Sequence, residues 1–196
     1  MRFSIRRFAP PLLAVCGSAL APCWDSPAQT RAAPLDVARY TAEGRLAFPA
    51  DTDRWVFLGA NIGGDYTDAA FDPSNPGRIG VVQMEPRAFA HLVEHGEFAD
   101  GTMLLLSFYD TQEKPEPELN GFVQGDLTAR EIHVIDRQRF ADGRAFFLFP
   151  AGSTAPSDML PAGNECVRCH TEHGRFDGTF AQFYPVVRER LGIGAR

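Results

Sequence analysis

Apolar runs alternate with polar, glycine- and proline-rich stretches along the chain, and the spacing of the apolar positions names the elements. Residues 54–62 (Arg-Trp-Val-Phe-Leu-Gly-Ala-Asn-Ile) read as a strand entering a core, and 79–84 as a second strand. Pro86 opens a helix at its favoured first position, running to His95 and stopped by Gly96. Residues 101–109 (Gly-Thr-Met-Leu-Leu-Leu-Ser-Phe-Tyr) are apolar at successive positions, which predicts a strand buried on both faces and central in its sheet. Three more strands are expected: around Phe122, over 130–136, and over 144–149 with its three phenylalanines. In 130–136 Ile132 and Val134 alternate with Glu131 and His133, which puts Glu131 and His133 together on the side that ordinarily meets solvent.

The intervening segments carry turn chemistry. Residues 61–78 form a long loop whose large apolar anchors are Tyr66 and Phe71; 111–118 is an acidic exposed connector; 151–163 is a Pro/Gly/Ser-rich linker. A tether over 29–34 leads into an expected short helix over 35–46, and 164–191 reads as helical and irregular before a tail at 192–196. No repeat is visible. The expectation is an α+β fold, mostly antiparallel β-sheet with peripheral helices, with one domain over 46–191 preceded by an N-terminal tether and short helix over 29–45.

Composition changes this picture in two places. With a formal charge of −6 over 196 residues and no basic tract beyond the N-terminus, general nucleic-acid binding is disfavoured. At the N-terminus, Arg2, Arg6 and Arg7 precede an apolar stretch over 11–21 and then small residues, the order of a secretion signal. The apolar run is too short to span a bilayer. Cleavage after Ala28 fits best, making 1–28 the signal and the mature protein periplasmic, with no membrane span. Cys16 and Cys23 would leave with it, so Cys166 and Cys169 would be the remaining cysteines of an acidic, exported domain.

Those two sit in Cys166-Val167-Arg168-Cys169-His170, a C-x-x-C-H motif. On a helical turn, cysteines separated by two residues can each form a thioether to a haem vinyl group while the adjacent histidine meets the iron. The motif thus points to one covalently attached haem c, with Cys166, Cys169 and His170 binding the cofactor and His170 the metal. A zinc held by Cys166, Cys169, His170 and His173, a redox-active disulfide and a plain structural disulfide are the competing readings.

The chain resembles the cytochrome P-460 and cytochrome c′-beta family over residues 46–187. The resemblance rests on Trp55-Val56-Phe57-Leu58-Gly59, Glu85-Pro86, Gly96-Glu97-Phe98, Asp100-Gly101-Thr102 and Gly121-Phe122-Val123-Gln124-Gly125-Asp126. It continues through Asp136-Arg137-Gln138-Arg139-Phe140, Cys166 to His170, and Asp177-Gly178-Thr179-Phe180-Ala181-Gln182-Phe183-Tyr184-Pro185. It implies a mostly antiparallel β fold with a C-terminal haem-attachment helix, His170 as proximal ligand and an open sixth position. Cytochromes P-460 proper carry a lysine bonded to the porphyrin; the matching position here is Leu106, and the chain's only lysine is Lys114 in the acidic connector. The chain therefore looks closer to the c′-beta branch, which implies binding of small gases such as nitric oxide.

For the side of the haem away from His170, the expected lining is apolar: Leu104, Leu106 and Phe71. Glu131 matches a carboxylate near that side in cytochromes P-460, which makes it the candidate catalytic residue and proton relay. This supports an alternative, oxidation of hydroxylamine or another small nitrogen compound. His133, Met84, Met103 and Met159 are candidate sixth ligands for a further alternative, an electron-transfer cytochrome. Phe180 and Tyr184 are expected against the macrocycle, His173 at a propionate or the surface, and His91 and His95 as a solvent-facing pair. The expected partners are a small gaseous ligand or nitrogen compound, a redox partner protein and a second copy in a homodimer.

Overall fold

The computed structural model describes residues 34–64, 66, 69–113 and 116–194. The expected signal, most of the tether and Lys114 lie outside the described residues. β3 (Thr102–Glu113) runs through the middle of a five-stranded antiparallel sheet ordered β1-β2-β3-β4-β5. Its neighbours are β2 (Ile79–Met84) and β4 (Phe122–Ile135); β1 (Val56–Ile62) and β5 (Arg144–Pro150) form the edges. Met103, Leu104 and Leu105 are buried in succession, so β3 is covered on both faces, as its unbroken apolar run requires. With helices packed around the sheet, the fold is α+β and mostly β.

Side chains alternate across a strand, so the pairing register sorts them into rows. One face carries Val82–Leu106–Glu131–Leu148 and, beside it, Met84–Leu104–His133–Phe146. The other carries Gln83–Leu105–Ile132–Phe147 and the Met103–Val134–Ala145 row. Each face has its own core. The first packs Leu58, Val82, Met84 and Leu104 against Ala88 and Leu92 of α1 (Pro86–His95) and Tyr184 and Val187 from the C-terminal segment. The second packs Met103, Leu105, Ile132, Val134, Phe147 and Phe149 against Leu46 and Trp55, with Tyr40 and Phe48 alongside. Each fully buried phenylalanine there contributes roughly 2–3 kcal/mol of apolar burial.

Helix α1 begins and ends as its sequence requires. Glu85 caps it by accepting from the Ala88 amide at 2.9 Å, Pro86 takes the first turn, and Gly96 closes it at φ 71°.

Elsewhere the structure departs from the sequence pattern. The expected helix over 35–46 does not form. Gly44, at φ 85°, reverses the chain so that the Thr41 amide reaches the Arg45 carbonyl, and Tyr40 and Leu46 bridge each other. Burying Leu46 completely under the sheet outweighs a local helical preference. The two strands expected around Phe122 and over 130–136 are one strand, β4. It pairs with an extension of β3 to Glu113, shortening the expected connector. β1 starts at Val56 because Thr52–Arg54 winds into a 3-10 turn.

Candidate functional site

The C-terminal segment returns across the first face of the sheet. Its helix α2 (Glu165–Glu172) is capped by Asn164, whose side chain accepts from the Cys166 amide at 2.9 Å. Cys166 and Cys169 lie three residues apart, hence on one side of the helix, and both thiols are free. No residue of α2 is buried.

His170 points toward the sheet. Its ring centroid lies 4.6 Å from Phe146, 4.7 Å from Phe180 and 5.6 Å from His133. Nδ1 is 2.7 Å from the Gly178 carbonyl oxygen. A carbonyl can only accept, so Nδ1 carries the proton and Nε2 keeps its lone pair. Nε2 faces Glu131 Oε1 at 3.7 Å, too far for a hydrogen bond.

The Gly178 carbonyl is presented by an unusual turn: Phe176, Asp177 and Gly178 all have positive φ, at 46°, 62° and 74°. Arg175 and Thr179 bridge its base. Gly174 ends the helix where a Cβ would collide with the carbonyls of His170 and Gly178. The glycine thus lets the turn close onto the histidine.

Glu131 and His133 do not face solvent. They are 3% and 5% exposed, because the C-terminal segment covers the face that their alternation with Ile132 and Val134 assigned to water. Burial pushes the Glu131 carboxyl up, against a hydrogen bond from the Cys166 thiol. Burial, then unfavourable electrostatics from His170 and Arg144, holds His133 well below its ordinary value. Burial lowers His170 too, with Arg144 adding to it and the Gly178 carbonyl opposing it. Desolvation thus favours the neutral form of both Glu131 and His170. Cys166 is pushed up to about 12 by burial and then by Glu131, and Cys169 is raised for the same reasons. Two protonated thiols are poor nucleophiles for disulfide exchange.

Leu104 and Leu106 stand directly across from His133 and Glu131, so the four form one mixed patch rather than an apolar wall. Glu131 Oε2 and His133 Nε2 are both buried without a hydrogen-bond partner. Phe71 is 61% exposed in its loop, with its ring toward Gly63. The loop residue that reaches α2 is Tyr66, whose ring stacks on His173 at 3.9 Å and lies 5.9 Å from Phe180. Sequence reasoning named Tyr66 as an anchor only; its neighbours gave no sign of which loop aromatic would turn inward. Tyr184 packs in the first core, its hydroxyl accepting from Asn61 Nδ2 at 3.3 Å.

Of the candidate sixth ligands, Met84 and His133 share a row on this face, Met103 belongs to the opposite core, and Met159 is exposed. His91 and His95 pack ring to ring at 4.3 Å on α1. Among the described residues no group of three or more His, Cys, Asp or Glu side chains is arranged to hold a metal ion. No helix among them is long and apolar enough to cross a membrane.

A family model described as Cytochrome P460 matches residues 49–181, spanning the sheet, the thiol-bearing helix and the turn that supports His170. No curated protein matches the chain.

Proposed function

The chain belongs to the Cytochrome P460 family and is a haem protein of that family, and from this premise we propose that it is an exported, periplasmic protein that carries one haem c and binds small gaseous ligands, nitric oxide foremost. Cys166 and Cys169 would hold the group through thioethers and His170 Nε2 would bind its iron. When bound, the haem supplies a metal that takes a small ligand and exchanges single electrons.

The residues fit that group. Cys166 and Cys169, in no disulfide and with both thiols held toward the protonated form by burial, share one side of α2. The observation that carries the reading is the Nδ1–Gly178 hydrogen bond, because it commits Nε2 to the lone pair a metal needs. Opposite it, Glu131 Oε2 and His133 Nε2 are buried polar atoms for which the protein supplies no partner. Space must be made: a flat ring on Nε2 needs roughly 5–6 Å to the next group, a metal–nitrogen bond of about 2 Å plus a van der Waals contact. Nε2 and Glu131 are 3.7 Å apart. Cys166, Val167, Cys169 and His170 of α2 are half-buried and none is fully so, and making that space means lifting this side of the helix off the sheet.

In this reading Leu104 and Leu106 give a neutral gas an apolar seat. Glu131 and His133 beside them offer a ligand a proton or a hydrogen bond. The burial of Glu131, with its raised affinity for a proton, favours a second reading, oxidation of hydroxylamine or a similar nitrogen compound with Glu131 holding the released proton.

The test is production in cells that attach haem to C-x-x-C-H motifs. The expected product is red, begins at Gln29, has the mass of the polypeptide plus one haem, and keeps its colour through acid–acetone extraction. Its ferrous form binds nitric oxide and carbon monoxide. A colourless protein of unmodified mass overturns the reading, and a low-spin ferrous form indifferent to both gases overturns the gas-binding part.

A further inference from the structure

We propose that Arg137 is a positioning residue for His170: acting through Asp177, it holds the turn that aims the Gly178 carbonyl at His170 Nδ1. The proposal rests on His170 being the iron ligand and adds what sets that ligand's strength.

Arg137 touches nothing on His170. It follows β4 and is fixed at several points. Its amide and Nη1 both donate to Asp100 Oδ1 at 3.0 Å, and Nη1 also donates to the Phe98 carbonyl at 3.2 Å. The Asp100 side chain has no exposed surface, so this end of the arginine is anchored in the protein interior. From there Nη2 reaches Asp177 Oδ2 at 2.6 Å.

Asp177 is the middle of the turn with three successive positive φ values. Two of those residues are not glycine, and such conformations are strained and persist where surrounding contacts over-determine them. Phe176 is 43% exposed and lends little packing. Thr179 Oγ1 ties the inside of the turn, donating to the Arg175 and Phe176 carbonyls at 3.2 and 3.1 Å. The Asp177–Arg137 contact ties it from outside, to the segment after β4. The line runs Asp100, Arg137, Asp177, Gly178, His170, and each link is a hydrogen bond, an ion pair or a peptide bond.

A hydrogen bond to the remote nitrogen of a metal-bound imidazole fixes its ring and raises the basicity of the ligating nitrogen. Axial-ligand strength is one of the levers on haem potential. Loosening the clip therefore weakens His170 as a donor and favours the ferrous state.

Asp177 is the position to change, because replacing Arg137 would also strip a buried carboxylate of its cation. Asp177→Gly removes the carboxylate while accepting positive φ; Asp177→Asn keeps both an oxygen for Arg137 and tolerance of that φ. Met103→Ala, in the opposite core, controls for lost stability alone. In the haem-loaded protein, Asp177→Gly is expected to lower the iron–histidine stretching frequency and to raise the ferrous-to-ferric ratio at fixed potential at least threefold. Asp177→Asn should recover most of both, and Met103→Ala should change neither. In the haem-free chain, the nitrogen shifts of His170 should show the Nδ1–H tautomer dominant, and less so in Asp177→Gly. An Asp177→Gly protein matching wild type in vibration, redox ratio and tautomer overturns the proposal, as does an equal shift in Met103→Ala. A wild-type chain that takes up no covalent haem overturns the haem reading instead, and the tautomer measurement still decides the clip.

Discussion

Leu106 on β3 stands directly across from Glu131 on β4, in one row with Val82 and Leu148. The position where the resemblance to cytochromes P-460 proper expects a porphyrin-linked lysine thus holds an aliphatic side chain next to a buried carboxyl. No ammonium stands at that position to draw out the carboxylate's charge, and desolvation dominates its protonation.

Glu131→Gln keeps shape and hydrogen-bonding capacity but cannot hold a transferred proton. If the protein oxidises hydroxylamine through this residue, turnover with an electron acceptor should fall by roughly 10²–10⁴-fold, the usual size of a general-base contribution. Nitric oxide affinity of the ferrous form should change little. Equal turnover in the two proteins would clear Glu131 of a catalytic role.

Tyr40 gives a pH dependence in the opposite core from α2. Burial raises its phenol to about 12, against the opposing charge of Arg139, and its hydroxyl has no partner. A group with a raised native value adds stability below its unfolded value near 10 and loses it as pH climbs toward 12. Tyr40→Phe keeps the ring under the Arg139 guanidinium, 3.6 Å from the ring centre. It should be as stable as wild type, or up to about 1 kcal/mol more, at pH 7. Urea unfolding at successive pH values should show the variant gaining on wild type above pH 10; parallel curves would contradict this.

Gly59 lies where a Cβ would overlap the Tyr184 ring. Gly59→Ala must push Tyr184 off the first core, at a cost of about 1–3 kcal/mol. Tyr184→Phe loses only the bond from Asn61 and should cost about 1 kcal/mol. Thermal unfolding of both, and of the double variant, should show non-additivity, because pushing the ring aside in Gly59→Ala already breaks the Asn61 bond that Tyr184→Phe removes.

Arg137→Gln removes the cation from the wholly buried Asp100 side chain and should destabilise the protein by roughly 3 kcal/mol. Chemical denaturation measures this. A loss below 1 kcal/mol would mean that water or another donor satisfies Asp100.

The sheet was legible where one physical signal sufficed. Ile79–Met84, Pro86–His95 and Arg144–Pro150 follow from apolar runs, a proline at a helix start and a glycine after its end. The central place of β3 followed from burial demanded on both faces. Residues 35–46 misled because local helical propensity says nothing of the buried seat waiting for Leu46. Glu131 and His133 misled for a related reason: period-two alternation tells which residues share a face, not what will cover it. The C-x-x-C-H motif marked the helix, but the acceptor for His170 Nδ1–H is the Gly178 backbone carbonyl, which side-chain identities do not announce. Tyr66 and Phe71 shared a loop, and only the folded path distinguishes the one that stacks on His173.

No residue of helix α2 is fully buried, and that bears on how the protein would mature. If Cys166 and Cys169 take the proposed haem, the strands could pack around β3 while these two half-buried sulfurs stay within reach, and attachment would not require unfolding the sheet. In the proposed reading the haem would add apolar surface between this segment and the sheet, and the last stage of folding would be the closing of a clasp on its cargo.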